Sequence, residues 1–187
     1  EEIIRIKDDA VAGGFREYTM QIRETRRGPI ISDHGMTVAE GKLISLRWAI
    51  PEFINDSTGM RDLLIAEDVS QALKAIDRQG APLTYVVADH EGNIARKGAG
   101  FIPRRIRGDG AAPLVVVDSS DSWDGRIPEE DMPVLLNPAT GWVGSSNHRI
   151  LDADYPYASS THFAHSWRYR RLKEKMAALD AWSTDDH

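Results

Sequence analysis

The 187-residue chain has no cysteine, which excludes disulfides, thiolate nucleophiles and cysteine metal sites and leaves the redox compartment unspecified. Long apolar runs are missing as well. None approaches the roughly 18 residues that a membrane-spanning helix needs. No basic segment followed by an apolar one opens the sequence at Glu1, so no export signal is read there. Positive charge is in deficit: 23 Lys and Arg against 29 Asp and Glu give a formal charge of −6. That balance argues against nucleic acid or an anionic membrane surface as a partner. The basic run Arg104, Arg105 and Arg107 reads as a solvated loop. Internal repeats and low-complexity tracts are absent too.

What remains is an ordinary globular composition, 41% hydrophobic and 28% charged, at a length that suits one domain with a sizeable core. Ile3, Ile4 and Ile6 suggest a short strand before the Ala12-Gly13-Gly14 break. Residues 18–25 alternate, with Tyr18, Met20 and Ile22 on one face, as in a half-buried strand. Arg26-Arg27-Gly28-Pro29 and Ser32-Asp33-His34-Gly35 are turns, and residues 42–48 are expected to return as another strand of an antiparallel meander. Val69, Leu73 and Ile76 recur at helical spacing, predicting a helix over residues 67–79 that stops at Gly80. Residues 83–88 form the most apolar strand, and Asp89-His90-Glu91-Gly92-Asn93 turns it back into residues 94–97. Residues 103–125 read as a long loop interrupted by a short strand, Leu114-Val115-Val116-Val117. Phe163, Trp167, Leu172, Met176 and Leu179 stripe a C-terminal helix.

Several side-chain groups invite chemistry. His162 and His165 stand three apart, which on a helix would put both on one face, but no third metal ligand accompanies them. Ser145 or Ser146 with His148 would be a nucleophile and base, yet residues so close along an extended segment do not form a triad. Trp123 and Trp142 read as core or pocket wall, and Glu129, Glu130 and Asp131 as a helix-initiating or solvated acidic cluster.

The most informative stretch is Asn137-Pro138-Ala139-Thr140-Gly141-Trp142-Val143-Gly144-Ser145-Ser146-Asn147-His148-Arg149, closing at Asp154-Tyr155-Pro156-Tyr157. It reads as a turn, a short strand beginning at Trp142 and Val143, and a second turn. The polar run at residues 145–148 packs no core. A carboxamide in such a run can donate to a developing oxyanion without carrying charge, although an Asn there is equally a turn former.

These residues resemble the NP..G(F/Y/W)(I/V)...NN...DYPY signature of the β-chain of penicillin acylases and acyl-homoserine-lactone acylases, which are N-terminal nucleophile hydrolases. Other blocks stand in the same order: Glu24-Thr25-Arg26-Arg27-Gly28-Pro29-Ile30-Ile31-Ser32, Leu43-Ile44-Ser45-Leu46-Arg47-Trp48, Tyr85-Val86-Val87-Ala88-Asp89 with Gly92-Asn93-Ile94, and Trp123-Asp124-Gly125. The similarity runs from about residue 18 to about residue 171. It implies an α+β fold, antiparallel sheets with flanking helices, forming part of an αββα sandwich. It also implies that residues 1–187 are a single-domain interior fragment of a β-subunit.

In such enzymes an N-terminal Ser, Thr or Cys, freed by autoproteolysis, attacks an N-acyl substrate such as a penicillin or an acyl-homoserine lactone. By position Asn147 matches the oxyanion-hole asparagine, with His148 in place of the second Asn. Arg171, or in a competing alignment Arg168, matches an arginine that contacts that asparagine and the substrate. The nucleophile is expected upstream of Glu1, so the fragment is expected to be inactive alone. No cofactor is expected. Calcium-binding relatives use a carbonyl matched by Gly125 and an aspartate whose place falls on Ser159 or His162 here, so calcium is not expected. The segment between Trp123 and Asn137 is shorter than in penicillin-specific enzymes. Expected partners are the rest of the β-subunit, the α-subunit of the same precursor and a small N-acyl substrate, in the periplasm or outside the cell. The alternative is a stand-alone binding or assembly module on the same scaffold.

Overall fold

The alternation that opens the sequence folds back on itself. Strands β1 (Glu2–Lys7) and β2 (Phe15–Met20) pair antiparallel, Glu2 opposite Met20 and Lys7 opposite Phe15. The computed structural model of the chain describes residues 1–35, 38, 40–53, 59–118, 120 and 122–178. It divides into two compact units, Glu1–Trp48 and Ala49–His187.

In the first unit, Tyr18 and Met20 complete a hairpin with the preceding segment, and the strand predicted over residues 18–25 ends at Met20. Strands β3 (Glu24–Thr25) and β4 (Gly28–Pro29) then form a tight hairpin across Arg26 and Arg27. Only glycine fits at position 28: φ is +101°, and a Cβ there would stand 2.0 Å from the Leu46 carbonyl oxygen. The strand expected at residues 42–48 reduces to one antiparallel bridge, Ile30 with Ser45. The reason lies in Ser32. Its hydroxyl accepts the Ile44 amide at 3.0 Å, so a side chain takes the donor that a ladder would have used.

The second unit opens with helices α1 (Ala49–Phe53), α2 (Gly59–Leu64) and α3 (Val69–Asp77). The predicted helix over residues 67–79 is α3. Asp68 caps it by accepting the Gln71 amide at 2.7 Å, and Arg78 ends it short of Gly80. Val69, Ala72, Ala75 and Ile76 are its buried residues. They pack on β5 (Thr84–Ala88) and β6 (Ile94–Gly98), the predicted hairpin, in which Thr84 faces Gly98 and Ala88 faces Ile94. Lys97, buried on β6, pairs with Asp77 of α3 at 2.5 Å. The free edge of β6 takes β9 (Val134–Leu136), giving the antiparallel order β5-β6-β9.

Residues 103–125, read from the sequence as a loop, are bounded by an antiparallel pair, β7 (Pro103–Arg105) and β8 (Trp123–Arg126). Between them Leu114 to Val117 form no strand and lie exposed. Ala95, Ala99, Phe101 and Ile127 complete the core, with Phe53 edge-on to Phe101 and the Arg126 guanidinium 4.6 Å from the Phe101 ring centre. Helix α4 (Trp167–Met176) starts after Phe163, with Leu172 and Met176 half-buried; the predicted Leu179 lies outside the described residues. No helix among the described residues is long and apolar enough to cross a membrane.

Candidate active site

The loop that carries Asn147 leaves the sheet at a side chain that finishes the ladder. Asn137, in the left-handed region at φ +44°, donates its backbone N–H to the Ile94 carbonyl at 2.9 Å and accepts the Ile94 N–H on Oδ1 at 2.9 Å. Its Nδ2 donates to Asn93 Oδ1 at 2.9 Å, and Asn93 Nδ2 donates in turn to both Asp89 oxygens at 3.2 and 3.0 Å. The Asn93 amide holds the Asp89 carboxyl below its ordinary value. The Asn137-Pro138 turn is thereby tied to the β5-β6 turn.

Beyond Gly141, Trp142 and Val143 form no strand. The loop packs instead on α4. A Cβ on Gly144 would meet Leu172 Cδ2 at 3.1 Å and the Trp142 ring at 3.3 Å, so the missing side chain sets how closely helix and loop approach. The Trp142 and Tyr169 rings lie 6.0 Å apart, and the His148 ring stacks on Tyr169 at 3.6 Å, tilted by only 13°. From β6, Arg96 Nη1 donates to the Gly144 carbonyl at 3.3 Å.

Asn147 sits at φ +61°, and its carbonyl accepts the Ala164 N–H at 2.7 Å. Arg168 Nη2 donates to the Ser146 carbonyl at 2.9 Å and to Asn147 Oδ1 at 3.0 Å. A guanidinium carries donors alone, so the amide atom that meets it is the oxygen and Nδ2 is directed away. Among the described residues no acceptor takes that NH2, and Asn147 is exposed. Arg171 is not brought to Asn147. It pairs with Glu174 at 2.9 Å on an exposed face of α4.

The other groups are placed differently. His162 and His165 precede α4, so the helical face that would have joined them does not exist; His162 Nδ1 lies 3.0 Å from Thr161 Oγ1. His148 Nδ1 faces the Ser146 backbone N–H at 3.4 Å, and Ser145 Oγ accepts the Asn147 N–H at 3.4 Å, so neither serine is arranged as a nucleophile with this histidine. Glu129–Asp131 is a single 3-10 turn, with Glu129 paired to Arg126 at 2.9 Å. Asp131 anchors the Asp-Tyr-Pro-Tyr segment: Tyr157 donates to its carboxylate at 2.5 Å and Tyr155 to its carbonyl at 3.0 Å. Burial pushes the Tyr155 hydroxyl up to about 12, and the Asp131 hydrogen bond raises Tyr157. Arg105 fastens the same segment through the Ala158 carbonyl at 2.8 Å, its guanidinium lowered by burial.

An open cleft lined by Ala66, Glu67, Asp68, Asp89, His90 and Glu91 shares no residue with the Asn147 loop. Its Asp68 is engaged as the α3 cap and its Asp89 by Asn93. Where an aspartate is expected for calcium stand Ser159 and His162, which bring no carboxylate, and among the described residues no three His, Cys, Asp or Glu gather to hold an ion. Sequence reasoning missed Arg96 and Tyr169, which reach the loop from 48 and 21 residues away. The one local hint was Tyr169 beside Arg168.

The penicillin amidase family model matches residues 1–187. The chain belongs to the penicillin amidase family. It is 29% identical over 95% of its length to a penicillin acylase 2 proenzyme of a Pseudomonas species, and 28% identical over 93% to the acyl-homoserine lactone acylase QuiP of Pseudomonas fluorescens. It spans 23% and 21% of those relatives' own lengths. A thermostable penicillin G acylase from Alcaligenes faecalis matches in structure with a TM-score of 0.76 and 20% identity, over 99% of this chain and 32% of that one. This member of the family therefore has the expected mixture of helices and antiparallel sheet, in the fold of the penicillin acylases.

Proposed function

We propose that the chain is an interior portion of the β-subunit of an amidohydrolase that cleaves the acyl-amide bond of an N-acyl substrate such as a penicillin or an acyl-homoserine lactone, and that Asn147 supplies a donor of its oxyanion hole. The observation that carries this reading is the Arg168 contact to Asn147 Oδ1, which turns Nδ2 away with no acceptor for its protons among the described residues. The names of the curated relatives support the reaction class.

The nucleophile is an N-terminal Ser, Thr or Cys elsewhere in the precursor, with its own α-amine as base. As it attacks the amide carbonyl carbon, the carbonyl π pair moves to oxygen and a tetrahedral oxyanion forms. Asn147 Nδ2 donates to that oxygen, more strongly than to the ground-state carbonyl, and so lowers the barrier. When the amine leaves, the acyl group stays on the nucleophile until water removes it. Arg168, in place of Arg171, is the arginine that orients the asparagine.

In the intact enzyme, Asn147→Ala should lower kcat by roughly 10² to 10³, about 2.7 to 4 kcal/mol, with little change in KM. Steady-state kinetics and thermal melts on one preparation decide the matter. A near-normal kcat with a lowered Tm would make Asn147 a turn former and overturn the reading. The 187-residue chain by itself should give no burst with a chromogenic anilide; a stoichiometric burst would show that it holds its own nucleophile.

A further inference from the structure

Asn147 holds a left-handed backbone, a conformation that asparagine adopts more readily than other residues with a Cβ. Three hydrogen bonds grip the chain around it: Arg96 on the Gly144 carbonyl, Arg168 on the Ser146 carbonyl and the Ala164 N–H on the Asn147 carbonyl. The fourth grip is His148. Its ring lies flat on Tyr169, and its Nδ1 reaches back to the Ser146 N–H, so one side chain spans the two residues that flank Asn147.

We propose that His148 is a positioning residue for the oxyanion donor: held against Tyr169, it fixes the backbone on both sides of Asn147 so that the amide is presented in one orientation. This inference rests on the function proposed above. Only a ring with a free Nδ1 lone pair can accept from Ser146, so the positioning form is the neutral one, with its proton on Nε2. The surroundings favour that form. Arg96 approaches from β6, Arg168 and the Tyr169 ring from α4, and Arg149 follows in the loop. Burial first, and the Arg96 charge second, hold the imidazole below its ordinary value. Protonation would withdraw the lone pair from Ser146 and add a further positive charge beside the Arg96 guanidinium. Acid then loosens Asn147 without unfolding the chain.

The test uses the intact enzyme and reads kcat against pH. His148→Phe keeps a flat ring on Tyr169 but neither accepts nor titrates; it should lower kcat roughly ten- to a hundredfold with KM shifted less than about twofold. The acidic limb of the kcat profile that belongs to His148 should also disappear. Arg96→Met removes the charge that depresses the imidazole, so the same limb should move to higher pH, a displacement that a purely structural role would not produce. His148→Phe with normal kcat and an unchanged acidic limb, or Arg96→Met with the limb unmoved, overturns the inference. Asn147→Ala measured alongside separates the two readings. If it leaves kcat unchanged, the oxyanion reading falls and takes this one with it. If it has its full effect while the His148 and Arg96 variants behave as wild type, only the positioning role is lost.

Discussion

Helix α3 buries Val69, Ala72, Ala75 and Ile76 against a sheet, whereas α4, one residue longer, buries none of its ten residues. Ile76 is wholly inaccessible, and burying a side chain of that size stabilises by about 1.5–3 kcal/mol. Helix α4 holds its loop by two guanidinium hydrogen bonds and a ring stack, contacts worth about 0.5–1.5 kcal/mol each. The two helices divide the labour. One makes the unit stable, and the other, spending little stability, aims a polar group. Changes in the first should therefore cost folding and changes in the second should cost rate.

The comparison breaks most visibly at the pair that joins α3 to the sheet. Lys97→Met leaves the largely enclosed Asp77 without its partner, so stability should fall by about 3 kcal/mol in a denaturant titration, with kcat of the folded fraction preserved. Replacing both partners, as Lys97→Met with Asp77→Leu, should restore much of that loss. A rate defect in the folded fraction would mean that the two helices are not separable.

On the α4 side, Arg168→Met should cost roughly tenfold or more in kcat and under about 1 kcal/mol of stability, because the residue is exposed and its bonds face water. Arg171→Ala, which removes the exposed pair with Glu174, should leave kcat unchanged and stability within about 0.5 kcal/mol. Reversal of that order would place Arg171 at the substrate. Asp68→Ala removes the cap of α3 and should cost about 1 kcal/mol, again without a rate effect. The smallest effect concerns alkali. Tyr155 is raised in the folded chain to about 12 from an ordinary value of 10.0, so its contribution is complete below pH 10 and is lost as pH climbs from 10 through 12. Tyr155→Phe should flatten the fall in Tm across that window; an identical alkaline slope would show that burial of this hydroxyl is unimportant.

Much of the α3 half was legible in the sequence, because its signals are local. Helical spacing from Val69 to Ile76, and an apolar run turned back by Asp-His-Glu-Gly-Asn, need no knowledge of distant partners. The misreadings share a cause. Trp142 and Val143, residues 42–48 and residues 114–117 have strand-like composition, but composition alone does not decide whether a segment pairs. The Ile44 amide goes to the Ser32 hydroxyl, and the loop at Trp142 packs on Tyr169 and Leu172 of α4. At the site the asparagine was visible through resemblance, while what grips it was not. Arg96 and Tyr169 become neighbours of the loop only after the sheet and α4 have formed.

Asn137 closes the sheet with its carboxamide where a further peptide unit would otherwise have stood. A border drawn by a side chain can be moved by editing one codon, whereas a border drawn by backbone cannot. Anyone grafting this loop onto another scaffold must therefore carry Asn93 and Asp89 along with it, although both lie more than forty positions upstream and neither belongs to the loop being transplanted. Left behind, they would leave the graft with the right letters at its centre and no fixed point of departure.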